Sequence, residues 1–456
     1  MGKKRVLVYG TGGRDHCLAE EYAESHHVEK VFFAPGNPGI KYTSKGQSGK
    51  IIQISIRDFR ELVIFCKENK VDLVDVGPEN PLDEGIIDIL TEAGIPCIGP
   101  KREYTRLEND REFTNKLLSE IGVSKPEWKS FTNYEEAKKY VRNIGYQVVV
   151  KANGLAKGKG TIVCDNIEQA EEAINKIMVK KYFGNAGDKI IIEERKYGKE
   201  LSFFAYLDGK HILPLKMIAQ DYKPAFDSYD VDNIRLFRGN LNTGGTGCYC
   251  PHKLFSHHIV NKIIKEIVNP ITNAIYKKLG WDYKGVLYFG LNRDPDGNLD
   301  LFEINVRHGD PEAEVILRKF QVDFYELGEA IINGTLDQFK PKWNKNYYVD
   351  IIAMVGRSKQ EQNKWYIGYP KRYGIGYEIQ GLENIEKGVT IFYAGVDEKD
   401  GKLVTKGGRV LHVVASSSNS LEEAREKAYM NIKKIKFLDH KNNDQNCIRY
   451  REEIGV

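Results

Sequence analysis

The first hundred residues alternate short apolar runs with helical patterns, and this rhythm restricts the fold more than any other feature of the chain. "RVLVYG" is a strand ending in glycine, and "HCLAEEYAES" has helical spacing. "EKVFFAPGN", "VDLVDVGPE" and "PCIGP" are further strands, separated by the helical "DFRELVIFCKENK" and "GIIDILTEAG". Strands alternating with helices predict a parallel, doubly wound sheet, and ligands of such sheets bind outside the carboxyl ends of the strands. The helical "REYTRLENDREFTNKLLSEIG" leads out of this unit.

Gly10-Thr11-Gly12-Gly13-Arg14 follows the first strand and opens a helix. Backbone N–H groups and the helix dipole favour phosphate at such a place. A dinucleotide fingerprint requires glycine at position 15, and this chain has Asp15. The second strand ends Ala34-Pro35-Gly36-Asn37, with no acidic residue for a ribose. A single phosphate on a small metabolite fits better, with Arg14 as the forked donor; the bland alternative is a tight strand-to-helix turn. Gly36 and Gly77-Pro78-Glu79 end neighbouring strands in register and would share one crevice with the loop.

The rhythm changes near Pro126. A helix "EEAKKYVRNIG", a strand "YQVVVKA", the loop "NGLAKGKG", "TIVC", a second helix and "KIIIEER" make a small α+β lobe. Lys151, Lys157 and Lys159 flank the turn Gly154–Gly160. A strand follows that turn, so it is not the phosphate loop of P-loop enzymes. It reads as a flexible cover over the outer phosphates of a nucleotide, or as a solvated hairpin. Glu193-Glu194 ends a strand and Glu200 follows; these carboxylates fit adenine and ribose, or ion pairs with Arg195 and Lys196. On "LDLFEINVR", the period of two puts Glu303, Asn305 and Arg307 on one face. A carboxylate and an amide oxygen suit Mg²⁺ carrying phosphate oxygens, and Arg307 suits a phosphate or carboxylate.

Composition narrows the class. The 456 residues carry 68 Lys+Arg against 64 Asp+Glu, a net charge of +4. That is no footprint for nucleic acid. With 41% hydrophobic residues the chain is not disordered. No run approaches the ~20 apolar residues of a membrane span. "MGKKRVLVYG" is too short for a signal segment, and Val6 excludes a myristoylation signal. Cys17, Cys66, Cys97, Cys164, Cys248, Cys250 and Cys447 are scattered, as free thiols in a reducing cytoplasm would be. Cys248-x-Cys250 is too tight for a zinc knuckle.

Thirteen ordered segments carry a resemblance that no single motif would. They are "VLVYGTGGRDHCLA", "FAPGNPG", "VGPENPLDEGIID", "KANGLAKGKG", "IIEERKYGKELSF", "NTGGTG", "YKGVLYFGL", "EINVRHGDPEAE", "GYPKRYGIGYEIQGL", "FYAGV", "GGRVLHVVA", "EEAREKAY" and "YREEIG". End to end the chain resembles the glycinamide ribonucleotide synthetases (phosphoribosylamine–glycine ligases) of the ATP-grasp superfamily. The resemblance implies a multidomain α/β and α+β fold: a doubly wound N-terminal domain over 1–104, a helical linker over 105–125, ATP-grasp lobes over 126–196 and 197–340, and a C-terminal α+β domain over 341–456. It implies that ATP phosphorylates glycine and that 5-phosphoribosylamine attacks the acyl phosphate. The partners are then small molecules (ATP, an amino acid and a phosphorylated amine), with neither nucleic acid nor membrane, in a monomer or homodimer. By position, Lys151, Gly154, Lys157, Gly158, Lys159, Gly160 and Arg111 would hold ATP phosphates, and Glu193, Glu194 and Glu200 the adenosine. Glu303 and Asn305 would bind Mg²⁺ (or Mn²⁺), while Arg307, Lys223 and Asp221 would be catalytic. Gly12, Gly13, Arg14, Gly36, Asn37, Gly77, Pro78, Glu79, Asn242, Thr243, Gly244, Gly245, His308, Asp310 and Glu312 would line the substrate side.

Departures from the family pattern gather on that side. "QDHKR" is here Gln220-Asp221-Tyr222-Lys223-Pro224, and "RFGDPETQ" has become "RHGDPEAE", bringing in His308 and Glu314. Thr246 stands in "NTGGTG", and Arg111 replaces a lysine. A relative ligating another amino acid or phosphorylated amine, and a non-catalytic nucleotide-binding protein, are the alternative readings.

Overall fold

The computed structural model of the protein describes residues 2–154, 160–237, 241–359 and 365–456. Lys157, Gly158 and Lys159 of the glycine loop lie outside them.

The alternating rhythm forms the parallel sheet it predicts. Strands β1 (Lys4–Gly10), β2 (Val28–Pro35), β3 (Ile51–Gln53), β4 (Leu73–Val76) and β5 (Cys97–Ile98) stand in the order β3-β2-β1-β4-β5. Every pairing is parallel. Order reverses between β1 and β4, so a crevice opens at their carboxyl ends. Helix α1 (Gly13–Glu24) starts there, and nearly its whole surface is buried. That follows from its contacts with the sheet, with the helix Glu312–Lys319 and with the strand Val389–Tyr393.

Two antiparallel sheets make the centre. β6 (Trp128–Phe131), β7 (Val148–Ala152), β8 (Thr161–Val163) and β9 (Ile190–Glu194) pair in the order β6-β9-β7-β8. Their inward residues, among them Phe131, Val150 and Ile192, pack with Ala137, Ala173 and Ile174 in a core of their own. β10 (Lys199–Asp208), β11 (Ile212–Pro214), β14 (Lys284–Arg293) and β15 (Leu299–Asn305) form the order β11-β10-β14-β15. One core runs from Leu7 and Val74 of the N-terminal sheet through Phe203 and Phe289 of this one. The intervening β12 (Gln220–Asp221) and β13 (Gly247–Cys250) join neither central sheet. They extend a six-stranded sheet with β16 (Tyr347–Val355), Arg409–Ser417 and Val389–Tyr393. The helix Leu421–Ile432 packs on β16 and its neighbour Arg409–Ser417. All seven cysteines are buried free thiols. Among the described residues no helix is long and apolar enough to cross a membrane.

Candidate active site

The mouth between the two central sheets holds the first cluster. Lys151 ends β7 with its ammonium 2.5 Å from Glu193 of β9. Burial holds Lys151 below its ordinary pKa, though Glu193 opposes this. Arg111, at the start of the helix Arg111–Glu120, donates to the carbonyl of Ala152. Against the other sheet, Lys223, just past β12, lies 2.8 Å from Glu303 of β15 and 3.5 Å from Glu200 of β10. Burial alone would raise the Glu303 carboxyl, but Lys223 and Arg111 together hold it down to about 2. Asn305 is two residues on along the strand, and Glu194 pairs outward with Lys196. Gly154 packs beside Ala186, and the Gly160 carbonyl accepts from Ala152.

The crevice of the N-terminal sheet holds the second. Asp15 explains why the dinucleotide fingerprint fails. Its Oδ2 accepts from the amides of Thr11 and Gly12 at 2.9 and 2.8 Å, and its Oδ1 pairs with Arg14 at 3.0 Å. Two amides expected to meet phosphate are therefore satisfied within the loop. Arg14 also donates to the His308 carbonyl. Gly77 has no room for a side chain, since a Cβ there would stand 2.0 Å from Asp15 Oδ1. Glu79 follows Pro78, opens the next short helix and lies 3.3 Å from Arg307. Asn37 is used inside the protein: its Nδ2 donates to the carbonyls of Thr11 and Tyr393, and its Oδ1 accepts from Gly39. Gly36 beside it has φ +63°.

Arg307 joins the clusters. It reaches Glu79 and, at 2.9 Å, Glu108, and it also senses Glu303. Burial opposes its charge, but these carboxylates raise its pKa. The sequence reading missed Glu108; an isolated "RLEN" turn carries no signal for a partner 199 residues away.

Between the clusters lies an acidic pair. Asp221 is buried, its Oδ1 has no hydrogen-bond partner, and burial followed by Glu312 pushes its carboxyl well up. Glu312 accepts from Ser202 at 2.8 Å and is also raised by burial. The turn Asn242–Gly245 folds over this pair. Thr243 donates to the Lys223 carbonyl, and the Gly244 carbonyl accepts from Arg409. Gly245 has φ +115°, and a Cβ there would meet Pro311 at 2.4 Å. Asn242 bridges to Pro224.

His308 departs from expectation. Its ring turns inward onto Phe204 and Tyr206 and meets the Tyr206 hydroxyl at 2.7 Å. Burial pushes its pKa down to about 3, so it adds no charge to the site; its carbonyl, not its ring, serves Arg14 and Arg307. Asp310 pairs with Arg409 at 3.0 Å. Arg409, His412 and Asp350 also went unremarked in the sequence, because they come from a sheet that meets the site only in three dimensions.

Known proteins match this chain along its length. Three profiles align in order: "Phosphoribosylglycinamide synthetase, N domain" over residues 4–108, its "ATP-grasp (A) domain" over 109–313 and its "C domain" over 366–456. A phosphoribosylamine–glycine ligase of Caldanaerobacter subterraneus is 38% identical over 452 residues, covering 99% of each chain. The human trifunctional purine biosynthetic protein adenosine-3 is 38% identical over 453 residues, 99% of this chain and 42% of that one. The crystal structure of a phosphoribosylamine–glycine ligase from Thermotoga maritima superposes with a TM-score of 0.76 at 27% identity, covering 98% of this chain and 99% of that one. At 17% identity, the biotin carboxylase domain of Hydrogenobacter thermophilus 2-oxoglutarate carboxylase, solved with MgADP, shares the fold with a TM-score of 0.67; 99% of this chain and 92% of that one are covered.

Proposed function

The chain belongs to the phosphoribosylglycinamide synthetase family of ATP-grasp carboxylate–amine ligases, and from that premise we propose that it joins glycine to 5-phosphoribosylamine using ATP. A glycine carboxylate oxygen attacks the γ-phosphorus and ADP departs. The amine nitrogen then attacks the acyl carbon, phosphate leaves, and the nitrogen gives up a proton. The products are glycinamide ribonucleotide, ADP and phosphate.

The observation that carries this reading is Arg307, which pairs with Glu79 and Glu108 and lies near Glu303 and Glu312, so its charge stands between the nucleotide cluster and the amine crevice, where an acyl phosphate would form. Lys151, Arg111 and the 154–160 loop would hold the nucleotide phosphates, and Glu193 and Glu200 would lie along its adenosine; the Glu194 side chain turns outward to Lys196, which leaves its backbone for the base. Glu303 and Asn305 fit Mg²⁺: one ionised carboxylate and one amide oxygen are hard donors, and Lys223 already places a positive charge 2.8 Å from Glu303. When bound, such an ion neutralises charge on the phosphates. Lys223 lies between Glu303 and Glu200, where its charge would also meet a phosphate oxygen. The buried Asp221–Glu312 pair, with the Asp221 Oδ1 lacking a partner, suits the ammonium of glycine. Arg14 and Arg409 supply positive charge for the phosphate of the amine.

ADP release by the purified protein with ATP, Mg²⁺, glycine and 5-phosphoribosylamine tests this reading. No release with that pair, but release with another amino acid or amine, would move the chain to a different ligation; no Mg²⁺-dependent ATP binding at all would make it non-catalytic.

A further inference from the structure

His412 lies at the meeting point of all three parts of the chain and no step above uses it. It sits mid-strand in Arg409–Ser417, opposite Ile352 and Phe392, and is wholly buried. Its Nδ1 is 2.7 Å from Asp350 Oδ2 of β16 and 3.5 Å from Glu314 Oε1. Its Nε2 is 3.5 Å from Asp310 Oδ1. The ring edge backs directly onto Gly13, where a Cβ would stand 2.4 Å from His412 Cδ2 and 2.5 Å from its Nε2. One imidazole therefore touches the first turn of α1, the turn bearing Asp310, the helix Glu312–Lys319 and the C-terminal sheet.

We propose that His412 is a positioning residue for the amine side of the site: held by Asp350, it fixes Asp310 and the Gly12–Gly13 turn relative to one another. The proposal rests on the functional reading only for the identity of the amine.

The charges around the ring support it. Asp350 faces it from β16, with the Cys248 thiol of β13 beyond. Asp310 and Glu314 face it from the central unit, and Arg409 stands on its own strand. Arg14 of α1 is occupied by Asp15 and His308. Burial would lower the imidazole pKa, but Asp350, Glu314 and Asp310 together raise it to about 9. Glu314 is wholly buried, neither oxygen has a hydrogen-bond partner, and burial lifts its carboxyl well above the usual range. The carboxylates around the ring thus favour the cationic imidazole, while burial holds a proton on Glu314 more tightly than on an ordinary carboxyl. Asp310, Glu314 and His412 also bring ligand atoms within 4.8 Å of one another, as a divalent cation would need. The positive end of α1 points into the same place through Gly13 and opposes such an ion. A single proton on the imidazole meets the same requirement with half the charge of such an ion, and so with less of that opposition.

Kinetics on the full chain compare wild type with His412→Asn and Asp350→Asn. In both variants KM for the phosphorylated amine should rise about tenfold or more while KM for ATP stays within about twofold. The alkaline limb of kcat/KM for the amine, near pH 9, should vanish in His412→Asn and move to lower pH in Asp350→Asn. Equal changes in every KM, or a limb that stays put in His412→Asn, overturn the proposal. So does stoichiometric zinc in the purified protein whose chelation weakens amine binding. Imidazole nitrogen NMR on wild type needs no variant: His412 should titrate above about pH 8, and titration near 6.5 overturns the proposal. If wild type releases no ADP from glycine and 5-phosphoribosylamine, the functional reading falls alone. The NMR titration, with amide exchange over Thr11–His16 expected to quicken in His412→Asn, then decides the positioning role.

Discussion

Glu303 and Arg307 stand four residues apart, yet they answer to different demands. Glu303 is ionised, paired with Lys223 and open at the mouth of the sheets. Arg307 is enclosed by Glu79 and Glu108. Glu303→Ala should therefore lower kcat by about a hundredfold or more in ADP-release assays while leaving the melting temperature near wild type. Arg307→Ala should lower both, because it removes the cation paired with the half-buried Glu79 and leaves Glu108 with only its bond from the Val306 amide, a loss of roughly 1–3 kcal/mol. Unchanged melting of Arg307→Ala would show that Glu79 and Glu108 do not depend on it. The period of two made Glu303 and Asn305 readable from the chain alone. Glu108 was not readable, since only folding brings it to Arg307.

At the scale of elements, the β1–α1 turn was legible as a phosphate-prone loop but not as a closed one. A carboxylate inside the turn takes the amides that the glycines would otherwise present. On the proposed function, that leaves side chains such as Arg14 to recognise the amine. Arg14→Ala should raise KM for the phosphorylated amine about tenfold and leave ATP affinity alone, by steady-state kinetics and calorimetry with ATP. A fall in ATP affinity instead would place the nucleotide at this loop. Gly77→Ala should push Asp15 off the turn and cost about 1–3 kcal/mol, read as a lower melting temperature. The long helical run "HIVNKIIKEIVNPITNAIYKKLG" was also legible. It forms from His257 to Lys278 despite Pro270, with π-helical turns at Ile264–Val268 and Ala274–Lys278. The lost proline donor falls beside the first of these turns, where the hydrogen-bond ladder is already shifted. The pairing of β12 with β13 and of β13 with β16 was not legible. Their two- and four-residue runs carry no periodicity that says which sheet they complete.

The whole molecule is closed by buried titratable groups, so its stability depends on pH in a direction these groups fix. His412 has a folded pKa near 9 against about 6.5 unfolded. Its contribution is complete below about pH 6.5 and is lost as pH rises through 9. Glu314 and Asp350 are likewise raised by burial, so their contributions are complete below the ordinary carboxylate range and are lost as pH rises through their raised folded values. Glu303 runs the other way: held at about 2, its contribution is present above the ordinary carboxylate range and is lost as pH falls toward 2. Stability should then peak between about pH 5 and 6.5 and decline on the alkaline side through the junction of the three units. Urea midpoints at pH 6, 7.5 and 9 should fall steadily for wild type. For His412→Asn they should start lower at pH 6 and fall less, since the proton that couples them is gone. Parallel curves for the two proteins would place the alkaline loss elsewhere and detach the closure of the site from His412.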